Sequence, residues 1–195
     1  ELAACCRAFD LLGVTDPLFD RIAMRLPGAE PAFLTPPAGM LYGEVTASGL
    51  ERIGLAELSP VQRAIHAEAP LARCSIHANA TAVLAVASSK RGLVPTNFYS
   101  VALTGDARAL LSQEHGVVVH GPTIPDAFEM HYRVQRACEV QVATSAIDDG
   151  LPIGPEIVAG VARLRGRGLE RAEQEWIATP AARRLFDAMV RLVDA

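Results

Sequence analysis

The run Val117-Val118-Val119 constrains the fold most, because a different periodicity follows it almost at once. Three consecutive β-branched residues, entered directly from Glu114-His115-Gly116, read as a buried strand. From residue 126 to about 145 the pattern turns helical, with Phe128, Tyr132, Gln135 and the stretch 138–142 on one face. A buried strand running into a long amphipathic helix forces an α/β arrangement in which the helix covers the sheet.

The same alternation recurs upstream. Residues 73–77 form a short buried-strand candidate feeding a helix over 80–88. Leu2, Cys5, Cys6, Phe9 and Leu12 share a helix face that Gly13 ends. Residues 19–26 read as a strand stopped by Pro27-Gly28. Short strands are expected at Phe33-Leu34-Thr35, Leu41-Tyr42 and Val45-Thr46. Ser59-Pro60 opens a helix to about residue 68, with proline at the first helical position. After a loop at 150–154, helices are expected over 155–164 and 169–193. The expectation is one domain over 1–195, with a helical extension from about 155.

Composition narrows the function classes. A net charge of -4 lacks the basic footprint of a nucleic-acid binder. No apolar run reaches the roughly 18 residues that span a bilayer. The chain reads as a soluble, cytoplasmic protein. Cys5, Cys6, Cys74 and Cys138 show no C-x-x-C spacing and read as buried, reduced thiols. Lys90, the only lysine, sits in a polar turn, so a Schiff-base mechanism lacks its nucleophile.

Seven fragments in order carry a family resemblance: LAACCRAFDLLGVTD, FDRIAMRLPG, FLTPPAGMLYGEVTASGL, AIHAEAP, CSIHANATAVLAV, GLVP and EHGVVVHGPTIPDAFEMHYRVQRACEVQ. Together they resemble the class II aldolase/adducin domain from residue 2 to about 146. The resemblance implies a three-layer α/β/α domain around a central, mostly antiparallel sheet. It also implies a divalent metal (zinc, iron or manganese) held by an H-x-H pair at a strand end and by a histidine in a turn. Neutral imidazoles with an open coordination position make a Lewis-acidic site. His77 matches the first of the pair and His115 the turn, whereas Asn79 stands where the second histidine belongs. An amide oxygen is a weaker ligand for zinc or iron than imidazole. Three readings stay open: a metal site of two histidines with Asn79 or water, a site altered for other chemistry, or a scaffold with two inherited core histidines.

Other positions bear on the reaction. Glu114 puts a carboxylate beside His115. Gln62 replaces the acid/base glutamate of the family's aldolases and cannot transfer a proton. Asp20-Arg21-Ile22-Ala23 replaces the phosphate cradle of the sugar-phosphate branch. Arg25 matches an arginine of the decarboxylase-like and adducin-like branches, suited to gripping a substrate carboxylate or to a structural salt bridge. His66, His120 and His131 read as non-ligands: structural in mid-helix, capping a strand, and facing solvent, respectively. The stretches 53–59 and 95–108 are short for the family, and TNFYSVALTGDARALL offers little to replace a core strand.

The leading expectation is a metal-dependent lyase, performing decarboxylation or retro-aldol cleavage on a small hydroxy- or oxo-acid. The resemblance implies a homotetramer with sites between subunits. One rival is a non-haem iron oxygenase of aminocoumarin-type antibiotic biosynthesis acting on aryl-pyruvates. The other is a non-catalytic, adducin-like interaction domain.

Overall fold

The computed structural model describes residues 1–69, 71–172 and 180–194, with backbone alone at 164–172 and 180. Six strands form one sheet: β1 (Arg21–Arg25), β2 (Ala32–Thr35), β3 (Glu51–Gly54), β4 (Cys74–Ala78), β5 (Ala109–Ser112) and β6 (Gly116–Gly121). Their order is β3-β2-β1-β4-β6-β5, and every neighbouring pair is antiparallel. The central strands β4 and β6 carry the apolar, mostly buried sequences that cover on both faces requires, whereas β1, with an arginine at each end, buries only Ile22 and Ala23.

Side-chain alternation gives the sheet two unlike faces. Ile22, Cys74, Ile76, Ala78, Val117 and Val119 point into the larger core. That core is closed by α1 (Leu2–Leu11), α3 (Thr81–Ala87), α5 (Ile124–Ser145) and α7 (Pro180–Val193). All four cysteines are buried and unbridged. On the opposite face α2 (Pro60–Glu68) covers a smaller cluster of Ala23, Phe33 and Leu58. The result is the expected three-layer α/β/α architecture. No helix among the described residues is long and apolar enough to cross a membrane.

Helix starts follow local chemistry. Ser59 accepts from the Gln62 N–H ahead of Pro60, and Thr123 accepts from the Asp126 N–H, so α5 begins at Ile124. Two sequence expectations need correction, the strands at 41–46 and the boundary between the last two helices. No strand forms at Leu41-Tyr42 or Val45-Thr46: Tyr42–Glu44 and Ala47–Gly49 are 3₁₀ turns joined by extended Val45 and Thr46, with Tyr42 and Val45 buried in the larger core. The nearby strand is β3, whose Glu-Arg-Ile-Gly sequence lacks an apolar pattern because it pairs on one side only. The stretch expected to offer little to replace a core strand forms α4 (Phe98–Leu103), capped by Asn97, and leads into a strand at the sheet edge only, β5. The final helical region divides into α6 (Pro155–Ala172) and α7, and residues 173–179 of the expected last helix lie outside the described residues.

Candidate functional site

His77 lies one residue from the end of β4, opposite Arg21 on β1 and Val118 on β6. His115 closes the turn between β5 and β6, its backbone N–H donating to Ser112 Oγ at 3.2 Å. Gly116 follows in the left-handed region at φ 61°. A Cβ there would stand 2.6 Å from both the Ala78 carbonyl and Asn79 Oδ1. Glycine is thus required for the turn to lie against the end of β4, and Asn79 Oδ1 sits beside it.

The two histidines meet directly. His77 Nε2 donates to the His115 carbonyl at 2.6 Å, and the ring centroids are 6.1 Å apart at 82°. That bond places the proton on Nε2 and leaves the lone pair on Nδ1, which is buried with no hydrogen-bond partner among the described residues. Burial lowers the His77 pKa from 6.5, as does the adjacent His115, so the ring is held neutral. An imidazole tied through one nitrogen to a backbone carbonyl, with the other free, has the posture of a metal ligand. Two imidazoles sharing an ion at ~2.1 Å have centroids at most roughly 6.4 Å apart, and the observed 6.1 Å is inside that limit. The separation is therefore compatible with a shared divalent ion, to which Asn79 Oδ1 or water could be a further donor. Among the described residues no three His, Cys, Asp or Glu side chains converge as a metal site.

Asp20 organises the site, and the sequence reading assigned it no such role. Its Oδ1 accepts from the Asn79 backbone N–H at 2.9 Å and side-chain amide at 3.5 Å, while Oδ2 accepts from the Asp16 N–H at 2.7 Å. Burial raises its pKa to about 6. Its one sequence signal was a carboxylate immediately before a strand. Arg21 is exposed on the same sheet face as His77 and donates to the Asp20 carbonyl at 2.7 Å.

The remaining candidates separate. Glu114 is 87% exposed, its Oε2 4.0 Å from His115 Nε2, so solvent screens the pair. Gln62 is buried; its Nε2 donates to Ser75 Oγ at 3.1 Å and the Arg21 carbonyl at 3.4 Å. Ser75 Oγ in turn bonds His66 Nε2 at 2.9 Å, and His66 Nδ1 donates to the Ala72 carbonyl at 3.0 Å. His66 is thus structural, as expected. His120 lies near the end of β6, half-buried. His131 contradicts its expectation: it is fully buried, edge-on to Phe9 at 4.6 Å, because its face of α5 is the core face. Arg25 sits four strand positions from Arg21, about 13 Å away at ~3.3 Å per residue, and lines a different cavity with Arg73 and His66. Within the chain it does not join the histidine pair.

Residues 1–106 and 99–142 match the profile of the class II aldolase and adducin N-terminal domain. A Pseudomonas aeruginosa protein provisionally assigned to aldolase class 2 is 31% identical over 199 residues, covering 82% of this chain and 76% of that protein. Mouse alpha-adducin is 29% identical over 191 residues, covering 77% of this chain but only 26% of the adducin. Among solved structures, an aldolase II superfamily protein from Pseudomonas syringae superposes with TM-score 0.84 at 22% identity, covering 99% and 90% of the two chains. An L-fuculose 1-phosphate aldolase from Glaciozyma antarctica gives TM-score 0.82 at 19% identity, covering 99% and 86%. The fold, the ordered motifs and these similarities agree that the chain belongs to the class II aldolase and adducin N-terminal domain family.

Proposed function

We propose that this chain is a metal-dependent lyase, cleaving a C–C bond beside a carbonyl in a small hydroxy- or oxo-acid by decarboxylation or retro-aldol reaction. The observation that carries the reading is His77, tied through Nε2 to the His115 carbonyl and left with an unpartnered, buried Nδ1. His77, His115 and Asn79 would hold the divalent ion, which when bound supplies the electron sink for the enolate. Asp20 fixes the Asn79 backbone, and the His115 carbonyl fixes the His77 tautomer. Arg21, exposed across from His77, is placed to receive a substrate carboxylate through its guanidinium fork. Gln62 offers no transferable proton, which favours steps that take their proton from solvent. A homotetramer is the assembly we propose, following the family resemblance.

Elemental analysis of the purified protein tests the centre. The expected result is stoichiometric divalent metal, reduced at least ten-fold in His77→Ala and His115→Ala. Equal metal content in both variants would sink the assignment. A second reading, a non-catalytic interaction domain, is favoured by the 29% identity to mouse alpha-adducin. Absence of bound metal, unchanged thermal stability in chelator and no turnover of 2-oxo- or 3-hydroxy-acids would establish that reading instead. The relatives above lend no support to the oxygenase reading.

A further inference from the structure

We propose that Arg25 and Arg73 form a binding site for a small polyanion, carrying a phosphoryl group or paired carboxylates, at the sheet end remote from His77. The pairing of β1 with β4 continues one step past its last ladder position, Met24 with Cys74, where the Arg25 N–H donates to the Arg73 carbonyl at 2.7 Å. Arg25 and Arg73 are therefore cross-strand neighbours, and alternation puts both on the α2 face with Ser75 and Ala23. Like charges directly opposite one another in a sheet are destabilising. Elsewhere arginines of this chain find carboxylates, as Arg108 does with Asp106 and Arg183 with Asp187. Among the described residues, neither Arg25 nor Arg73 has a side-chain ion pair or hydrogen bond.

Arg25 and Arg73 both line a cavity of about 570 Å³, and among the described residues its lining contains no carboxylate. Its other walls are mainly apolar, including Leu26, Pro27, Pro31 and Leu55. Such walls lower the local dielectric and strengthen attraction to an anion. His66 also lines it, but both its ring nitrogens are occupied by Ala72 and Ser75, so it leaves recognition to the arginines. Two guanidinium forks carried from directly opposed strand positions match the oxygens of one phosphoryl group, or of two carboxylates on a short chain. An anion bound there relieves the repulsion between the arginines, which gives the ligand free energy that a neutral molecule would lack.

Isothermal titration of the full chain with inorganic phosphate and with malonate, against sodium chloride at matched ionic strength, tests the site. Saturable one-to-one binding of phosphate alone assigns a phosphoryl ligand, of malonate alone a dicarboxylate, and of both the shared anion chemistry. Arg25→Gln and Arg73→Gln should each weaken binding at least ten-fold. His77→Ala should leave it unchanged, which separates this site from the proposed metal centre. Because Arg73 is exposed, Arg73→Gln should unfold no earlier than the parent in anion-free buffer. No heat with either anion, equal heat with chloride, or unaltered binding in both arginine variants would overturn the proposal.

Discussion

His131 illustrates how a single residue's chemistry is set by its surroundings. It is fully buried with Nε2 unpartnered, and burial lowers its pKa to about 3; burial also lowers that of His66 to about 4. For a base whose folded pKa is depressed, the stabilising contribution is complete above the unfolded pKa near 6.5 and is lost as pH falls towards the folded value. Asp20 acts in the opposite sense. Its raised pKa contributes stability below about 3.8, and that contribution is lost as pH rises through about 6. Between pH 7 and 5 the His131 effect amounts to about 2 kcal/mol, from ~1.4 kcal/mol per unit. Urea denaturation of His131→Phe should therefore show a drop in stability between pH 7 and 5 that is smaller by about that amount. A slope equal to the parent's would mean that His131 is protonated in the folded protein. In the sequence, His131 looked solvent-facing because α5 carries polar residues on more than one face. Only the packing of Phe9 against it revealed which face is inside.

At the scale of elements, the turn joining β5 to β6 depends on one glycine. Gly116→Ala combines a left-handed backbone with a Cβ 2.6 Å from the Ala78 carbonyl, which the strand cannot easily yield. A loss of about 2–3 kcal/mol is expected in denaturant unfolding. If metal is bound, the displaced His115 should also lower its affinity. A loss under about 0.5 kcal/mol would show that the turn relaxes freely. The His-Gly dipeptide and the apolar strand β6 were both legible in sequence, since each is a local signal. Strands β3 and β5 were not, because edge strands need little apolar periodicity and owe their conformation to a partner far away in the chain.

For the whole molecule, closure of the larger core depends on α7 packing over α1 and α5. Phe186 is fully buried there, its ring 5.6 Å from Phe128. Phe186→Ala should cost about 3–5 kcal/mol and lower the thermal midpoint accordingly. A cost below ~1 kcal/mol would show that α7 contributes little to the core. Periodicity by itself determined the α/β class, the main helices and the apolar central strands β4 and β6, while the ordered fragments around His77 and His115 carried the family resemblance. These depend on spacing of a few residues, which is written along the chain. Tertiary structure alone decided that Asp20 holds Asn79 across 59 residues, that Gln62 serves Ser75, and that Arg25 meets Arg73 instead of the histidines. Those relations follow from strand register and sheet face, which join segments whose separation leaves no local trace.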